Sequence, residues 1–542
     1  MKSELENIIQ RKYSKVNSIL CNYNVEVNEY TKKNIVNDIC NNVLDIEMFF
    51  DDLFERLEKV KNDFETHVAF LEKMQMHSID SILKIHRAEI DSLQSYVNSF
   101  YQSFILLKTS NDLSSEEMES KILDFYAIYR YLLSSFANIS NRLEWQSISY
   151  ESSKRAQIYR SEELGYKGIL GYKRVHYPAL ISYEKDFVKE FFENNEKNSS
   201  LISLMTNSGQ GAFLTIREMI AIAVPKSPSV LLSPHTYYET RTLVSNACGW
   251  RSVFFECDNE SSILQQVQKE RPDVLMLEPY YCSETVSFLD VHFLVNALNN
   301  IKIDKKLYVV IDSTMMSGAI QPFNAYFTNP NVEVILFESM IKYREFGIDR
   351  VNAGFVVAPK KFLRRLINSR AITGTILDEI SLNLLPRITK SRLTSRMNTI
   401  YRNALYISQE LQKFADNQAN ILVEGIEFPG IPSHKDYQKF QKSRCPYLNG
   451  IINLKIDKDY YSNFATMLFF ISKVIEDAKD ANISISHGTS FGFDHTRLAV
   501  ADSSGGEFTY PFIRISVGRE NFRDIVILTK ILKNNIQKYL KY

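Results

Sequence analysis

The sequence predicts an α/β protein, with a mainly parallel doubly wound sheet preceded by an all-α N-terminal extension. Three observations carry this. All 18 glycines and 14 prolines lie from Gly165 onward, so the stretch from Met1 to Leu164 contains no helix breaker. After that boundary, short apolar β-rich runs alternate with helical segments, which is the grammar of parallel strands covered on both faces. Several of those runs end on a polar residue, where a doubly wound sheet binds its ligand.

In the N-terminal part, Ile46, Phe49, Leu53, Leu57 and Val60 recur at three- or four-residue spacing, the period of an amphipathic helix. Segments 64–76, 79–107 and 115–143 show the same mixed faces, separated by Asn and Ser clusters. Residues 1–150 are therefore expected to form a helical bundle. Its role is either the docking of a protein partner or oligomerisation, or plain packing against the rest of the chain. His67, His77 and His86 recur with no carboxylate or histidine in a ligand pattern, so no metal is expected. Lys plus Arg and Asp plus Glu are both 64 in 542 residues, which argues against nucleic acid or an anionic membrane and for a small neutral or zwitterionic substrate. The six cysteines (Cys21, Cys40, Cys248, Cys257, Cys282, Cys445) form no C-x-x-C pair, so neither a disulfide scaffold nor a zinc ribbon is expected. The N-terminus has no apolar signal-type core and no membrane-length apolar run occurs, which points to the cytoplasm.

Beyond Gly165, the runs SVLLSP, DVLMLEP, LYVVIDST, VEVILFES and AGFVVAP read as strands. Asp312 terminates LYVVID, and a carboxylate buried there needs a cationic partner. A protonated pyridine nitrogen is one. Lys342 follows VEVILFES, where a desolvated amine is tuned toward nucleophilic Schiff-base chemistry. Each residue alone also fits a bland reading, a turn or helix cap for the aspartate and a solvated strand end for the lysine. In TNSGQGAFLTI, Gly209 permits close backbone approach, and Gly209 and Gln210 would offer N–H groups at a helix start to an anion. S-G-x-G is otherwise a common turn.

From about Tyr172 to the C-terminus the chain resembles the Cys/Met-metabolism family of fold-type I PLP-dependent enzymes, which includes cystathionine synthases and lyases and methionine γ-lyase. In GYKRVHYPALISYE, Tyr172, Arg174, Pro178 and Glu184 match the family's Y-x-R-x-x-N-P-T stretch and its following Glu, with Tyr177 in place of Asn. TNSGQGAFLTI is similar to S-G-M-A-A-I, and HTYYETRTL to Y-G-G-T-x-R, with Tyr238 and Glu239 in place of two glycines. VVIDST resembles V-V-D-N-T, and FESMIKY resembles H-S-A-T-K-Y with Ile341 where a second phosphate hydroxyl is usual. EPYYCSE lacks the Asn of E-T-P-x-N-P and leaves Cys282 or Ser283 near that place. EFPGIPSHKDY is similar to Y-P-G-L-P-S-H-P, YPFIRISVGRENFRDI to I-R-L-S-V-G-I-E-D, and SISHGTSFGFDHTRL occupies the region of S-L-G-G-V-E-S-L.

The resemblance implies pyridoxal 5′-phosphate as cofactor and a fold-type I transferase, with residues 151–400 as the large α/β domain and 401–542 as a smaller α+β domain. It assigns Lys342 to the Schiff base, Asp312 to the ring nitrogen, and Ser339, Gly209 and Gln210 to the phosphate. Tyr237 would stack on the ring and carry protons with Lys342. Arg514 would grip the substrate α-carboxylate, for which a planar guanidinium suits better than an ammonium, and Ser490 would stand on the substrate side. His487 and His495 of that loop are either general acids or merely polar residues. Tyr172 and Arg174 would reach the phosphate of a neighbouring subunit, so a homodimer or homotetramer is implied. The implied reaction is β- or γ-elimination or replacement on a sulfur-containing or O-activated amino acid. Carbon–carbon bond formation on the same scaffold, and a catalytically silent binding protein, are the alternatives. Retention of Lys342, Asp312 and Arg514 argues against the last.

Overall fold

The computed structural model describes residues 28–73, 80–109, 115–142, 175–192, 201–224, 227–247, 249–255, 259–324, 329–418, 421–457, 464–501 and 511–541. The N-terminal part is helical as its breaker-free sequence requires, with α1 (Glu29–Lys73), α2 (Asp80–Thr109) and α3 (Ser115–Arg142). Phe49, Leu53, Leu57 and Val60 are all buried on one face of α1. Phe49 stacks on Tyr129 of α3 with ring centroids 4.0 Å apart, and the helices share one continuous apolar core with the C-terminal part of the chain.

What fixes α1 in place is less ordinary. Asp38, Asp45 and Asp52 recur every seven residues, so two turns separate neighbours and all three fall along one stripe. All three are buried. Asp38 takes both guanidinium nitrogens of Arg402 at 2.7 and 2.9 Å and accepts the Phe522 N–H. Asp45 pairs with Arg392 at 2.7 Å and with Arg519, and Asp52 with Arg56 and the Tyr129 hydroxyl. Each carboxylate is thereby neutralised where burial alone would disfavour it.

The central sheet comprises β1 (Leu201–Thr206), β2 (Ser229–Leu232), β3 (Arg251–Phe254), β4 (Val274–Leu277), β7 (Leu307–Asp312), β8 (Val332–Ser339) and β9 (Gly354–Pro359), with a short hairpin of β5 (Tyr280–Cys282) and β6 (Val286–Phe288) beside it. The spatial order is β1-β9-β8-β7-β4-β2-β3. The pairings from β8 through β7, β4 and β2 to β3 are all parallel. AGFVVAP is a strand as expected but runs against the others, antiparallel to both β8 and β1. An apolar run buried on both faces reads the same in either direction, so its pattern carries no sign of orientation.

The chain then builds a second, antiparallel-dominated sheet of five strands, β10 (Val423–Glu427), β11 (Ile451–Ile456), β12 (Ser486–His487), β13 (Arg497–Ala501) and β14 (Phe512–Ser516). Helices 390–416, 464–480 and 522–539 accompany it. Among the described residues no helix is long and apolar enough to cross a membrane.

Removing one carboxylate of the α1 stripe leaves buried arginines uncompensated, a loss of about 3–5 kcal/mol. Asp45→Ala is therefore expected to lower the unfolding free energy by about that amount in a urea titration. A change below about 1 kcal/mol would show that the stripe does not hold the helix.

Candidate active site

The carboxyl ends of the parallel strands converge on one cavity of about 1000 Å³, whose lining includes Gly209, Gln210, Tyr237, Asp312, Ser339, Lys342, Ser490 and Arg514. Eight residues singled out in the sequence are thus brought together from six separate segments. Tyr172 and Arg174 lie outside the described residues.

The anion end is built at the start of the helix Gly209–Ala223. The Ser208 hydroxyl caps it by accepting the Gly211 N–H at 2.8 Å. The first-turn N–H groups have no partner within the helix by construction. A Cβ on Gly209 would meet the Ser339 Cβ at 2.7 Å, and one on Gly354 would meet the Ser208 carbonyl at 2.3 Å. Both glycines therefore exist to let this turn sit against the ends of β8 and β9, which delivers the Ser339 hydroxyl to the same place.

Asp312 ends β7 as a buried carboxyl whose Oδ1 accepts the Thr314 N–H at 2.9 Å. Burial raises its pKa to about 6, against the lowering from Thr314 and with the neighbouring Glu338 charge adding to the rise. Lys342 lies three residues past β8. Its Nζ donates to Ser490 Oγ at 2.7 Å and sits 5.3 Å from the centre of the Phe491 ring. Burial lowers its pKa from the ordinary lysine value, and the charge of Arg497 lowers it further. Gly492 makes this contact possible, since a Cβ there would strike the Lys342 carbonyl carbon at 2.4 Å.

Arg514 comes from β14 on the opposite wall. Its Nη2 donates to Cys282 Sγ at 3.2 Å. Ser283 turns back to donate to the Thr285 carbonyl, so of the two residues near the missing Asn it is Cys282 that meets the guanidinium. Tyr237 is 45% exposed at the cavity mouth rather than packed away, and its ring makes an edge contact with that of Tyr238 at 5.2 Å. Partial burial and then Glu239 hold its hydroxyl above the usual phenol range, so it is protonated at neutral pH. Tyr177 is buried and donates to the Leu377 carbonyl, while Glu184 pairs with Arg370 beneath β1; both are framework. The His495 ring lies 3.1 Å from the Ser486 hydroxyl, and neither His495 nor His487 lines the cavity.

Glu278 was not singled out in the sequence, yet it follows β4 directly, lines the cavity and accepts the Tyr237 N–H at 2.8 Å. The signal that exposed Asp312, a polar residue ending an apolar strand, applies equally to it. Thr314, whose hydroxyl accepts the Ser339 N–H at 2.9 Å, and Phe491 carried no comparable signal.

The residues fit pyridoxal phosphate. Gln210 Oε1, Thr236 Oγ1 and Arg514 Nε are buried on this cavity with no hydrogen-bond partner among the described residues. Orphaned buried polar atoms are rare in folded proteins and here point to a polar ligand. The donor set has the right order too: N–H groups and a hydroxyl for a dianion, a buried carboxyl for a ring cation, and a desolvated amine for an aldehyde carbon.

A family profile described as Cys/Met metabolism PLP-dependent enzyme matches residues 145–529. The bifunctional enzyme flvA of Aspergillus flavus is 23% identical over 412 residues, 76% of this chain and 48% of that protein. The chain thus spans about half the length of that curated relative. Among solved structures, cystathionine gamma synthase from Xanthomonas oryzae pv. oryzae in complex with aminoacrylate and cysteine superposes with a TM-score of 0.53 at 16% identity, covering 70% of this chain and 92% of that one. The same enzyme in complex with cystathionine gives 0.52 at 16% identity, covering 69% and 90%. These two superpositions establish the fold.

Two pH-linked outcomes test the electrostatics. Arg497→Gln removes a positive charge near Lys342, so the ammonium form gains and the pKa rises; the pH midpoint for acetylation of Lys342 in cofactor-free protein should move up, and an unchanged or lower midpoint would contradict the assignment. For Asp312, a folded-state pKa above the unfolded one means that stability is present at low pH and is lost as pH rises through about 6. Asp312→Asn should therefore stabilise cofactor-free protein at pH 7 by about 1–3 kcal/mol, visible as a higher Tm, and no gain at pH 4.

Proposed function

Because the chain belongs to the family of Cys/Met metabolism PLP-dependent enzymes, we propose that it catalyses β- or γ-elimination or replacement on a sulfur-containing or O-activated amino acid. The observation that carries this is the shared cavity, in which the Lys342 amine, the Asp312 carboxyl and the Arg514 guanidinium line one space. Bound pyridoxal 5′-phosphate supplies a carbonyl carbon for amines and a protonated ring that draws electrons from the substrate Cα.

The protein's own residues do the rest. The first-turn N–H groups of Gly209 and Gln210, with the Ser339 hydroxyl, hold the phosphate. Asp312 keeps the ring nitrogen protonated, because pairing with a cation removes the penalty that burial places on its charge. Lys342 would hold the cofactor through its Nζ, which lines the cavity beside Ser490. The freed amine, whose neutral form burial favours and which Ser490 orients, accepts the Cα proton. Tyr237, protonated at neutral pH, would give a proton to the departing sulfur or oxygen, which leaves with the bonding electron pair. Arg514 binds the α-carboxylate through its fork and fixes which Cα bond faces the lysine. Tyr172 and Arg174 are proposed to complete the phosphate site of a neighbouring subunit in a homodimer or homotetramer, which places the enzyme's assembly within the same reading.

A second reading is carbon–carbon bond formation, in which a carbon nucleophile replaces the leaving group. The altered lining favours it, with Tyr238, Glu239 and Cys282 standing where the family's pattern has two glycines and an Asn. Supplying cystathionine, methionine, cysteine and O-acyl homoserines to the full-length holoenzyme separates the two. Release of oxo acid and thiol or carboxylate from at least one supports elimination; consumption without oxo acid, and only when a carbon nucleophile is present, supports the second reading; no turnover of any would overturn the first. With the best substrate, Arg514→Ala should lower kcat/KM by roughly 10²–10³-fold, the loss expected for truncating one partner of a buried charge pair.

A further inference from the structure

We propose that Arg130, on the N-terminal helix α3, is a positioning residue for Lys342, which makes the helical extension a working part of the active site. The inference rests on the cofactor reading of Lys342 and adds a residue that lies before the matched segment 145–529.

Two loops meet across the Lys342 amine. One is the segment that follows β8 and carries Lys342 itself. The other runs from Gly488 to Asp494 and carries Ser490 and Phe491, which contact Nζ. Neither loop is held by regular pairing. The first turns through three left-handed residues in close succession, Phe346, Gly347 and Asp349, with φ of 60°, 76° and 54°. Such backbone on a bulky residue such as Phe346 persists only where the surroundings over-determine it.

Arg130 supplies that constraint on both loops with one guanidinium. Its Nη2 donates to the Gly347 carbonyl at 2.6 Å and to Asp494 Oδ2 at 3.0 Å. Asp494 is gripped from the other side by Arg396, whose Nη1 reaches Oδ1 at 2.6 Å and whose Nη2 takes the Gly492 carbonyl at 2.9 Å. Gly492 is the residue whose missing Cβ allows contact with the Lys342 backbone. A continuous chain of contacts therefore runs from α3 through Asp494 and Gly492 to Ser490 and the amine. Phe49 of α1 backs the strained turn, with its ring 6.0 Å from that of Phe346. Loss of the bridge would free the two loops from each other, and the amine would lose the geometry that Ser490 imposes.

The test measures how fast cofactor-free, full-length protein captures pyridoxal 5′-phosphate at Lys342, read as borohydride-stable mass on the peptide containing that residue. Arg130→Ala and Ser490→Ala are each expected to slow capture about tenfold, and the double variant to be no slower than the slower single, because both act on the same geometry. Arg130→Lys, which keeps a charge opposite Asp494, should recover to within about threefold of the parent. If Arg130→Ala does not fold, Arg130→Gln, which keeps a donor without the charge, replaces it with the same expectation. Capture by Arg130 variants at the parent rate, with only the Tm lowered, would overturn the proposal, as would losses that multiply in the double variant. Failure of the parent itself to capture the cofactor at Lys342 would instead overturn the functional reading on which it rests.

Discussion

The structure turns on the partial burial of one amine at the wall of its cavity. Lys342 stands just beyond a strand buried along nearly its whole length, and the loop bearing Ser490, Phe491 and Gly492 closes over it. Removal of water favours the neutral amine. The same burial acts in the opposite sense on Asp312, at the end of the neighbouring strand, where it favours the protonated carboxyl until a cation arrives. Two groups whose uncharged forms are both favoured in this way, on adjacent parallel strands, are prepared for a ligand that brings both an electrophilic carbon and a protonatable ring. The sheet's parallel order puts both on the same edge, and the close glycine contacts at Gly209, Gly354 and Gly492 are what permit the surrounding turns to approach.

Partial burial of that amine is not achieved by the central sheet alone. The closing loop is tied at Asp494 to Arg396 and Arg130, and Arg130 belongs to a helical layer that is itself anchored by the Asp38, Asp45 and Asp52 stripe. The arginines receiving Asp38 and Asp45, namely Arg392, Arg402 and Arg519, come from the C-terminal third of the chain. Sequence ends far apart are thus joined through buried charge. An ion pair of this kind adds little net stability over an apolar contact, but it tolerates only one register. Register is what a loop aimed at the Lys342 amine requires.

Much of this was legible in the sequence, and what was not has physical reasons. The helical extension showed itself by the absence of Gly and Pro and by apolar spacing from Ile46 to Val60. The strands ending at Asp312 and Ser339 showed themselves by length and β-branched content. Strands β1 and β3 did not stand out: RSVF is a partly exposed edge strand with only four residues, too short for alternation to register. The reversal of β9 left no trace in a uniformly apolar run. Within the site, Asp312 and Lys342 could be named because each lies at or just past a strand end, and Arg514 because its segment resembles I-R-L-S-V-G-I-E-D, while the Ser490 contact to Lys342 spans 148 residues and joins two loops that have no periodicity. The seven-residue spacing of Asp38, Asp45 and Asp52 was visible throughout, but a carboxylate stripe on a helix ordinarily reads as a solvated face. Only the arginines that meet it reveal its burial.

The central claim is that Lys342 is the residue that holds the cofactor. The most direct measurement is borohydride reduction of the purified full-length protein after incubation with pyridoxal 5′-phosphate, followed by mass mapping of its peptides. One pyridoxyl adduct is expected, on the peptide containing Lys342, with its loss in Lys342→Ala. Stoichiometric adduct on another lysine, or none on any, would contradict it.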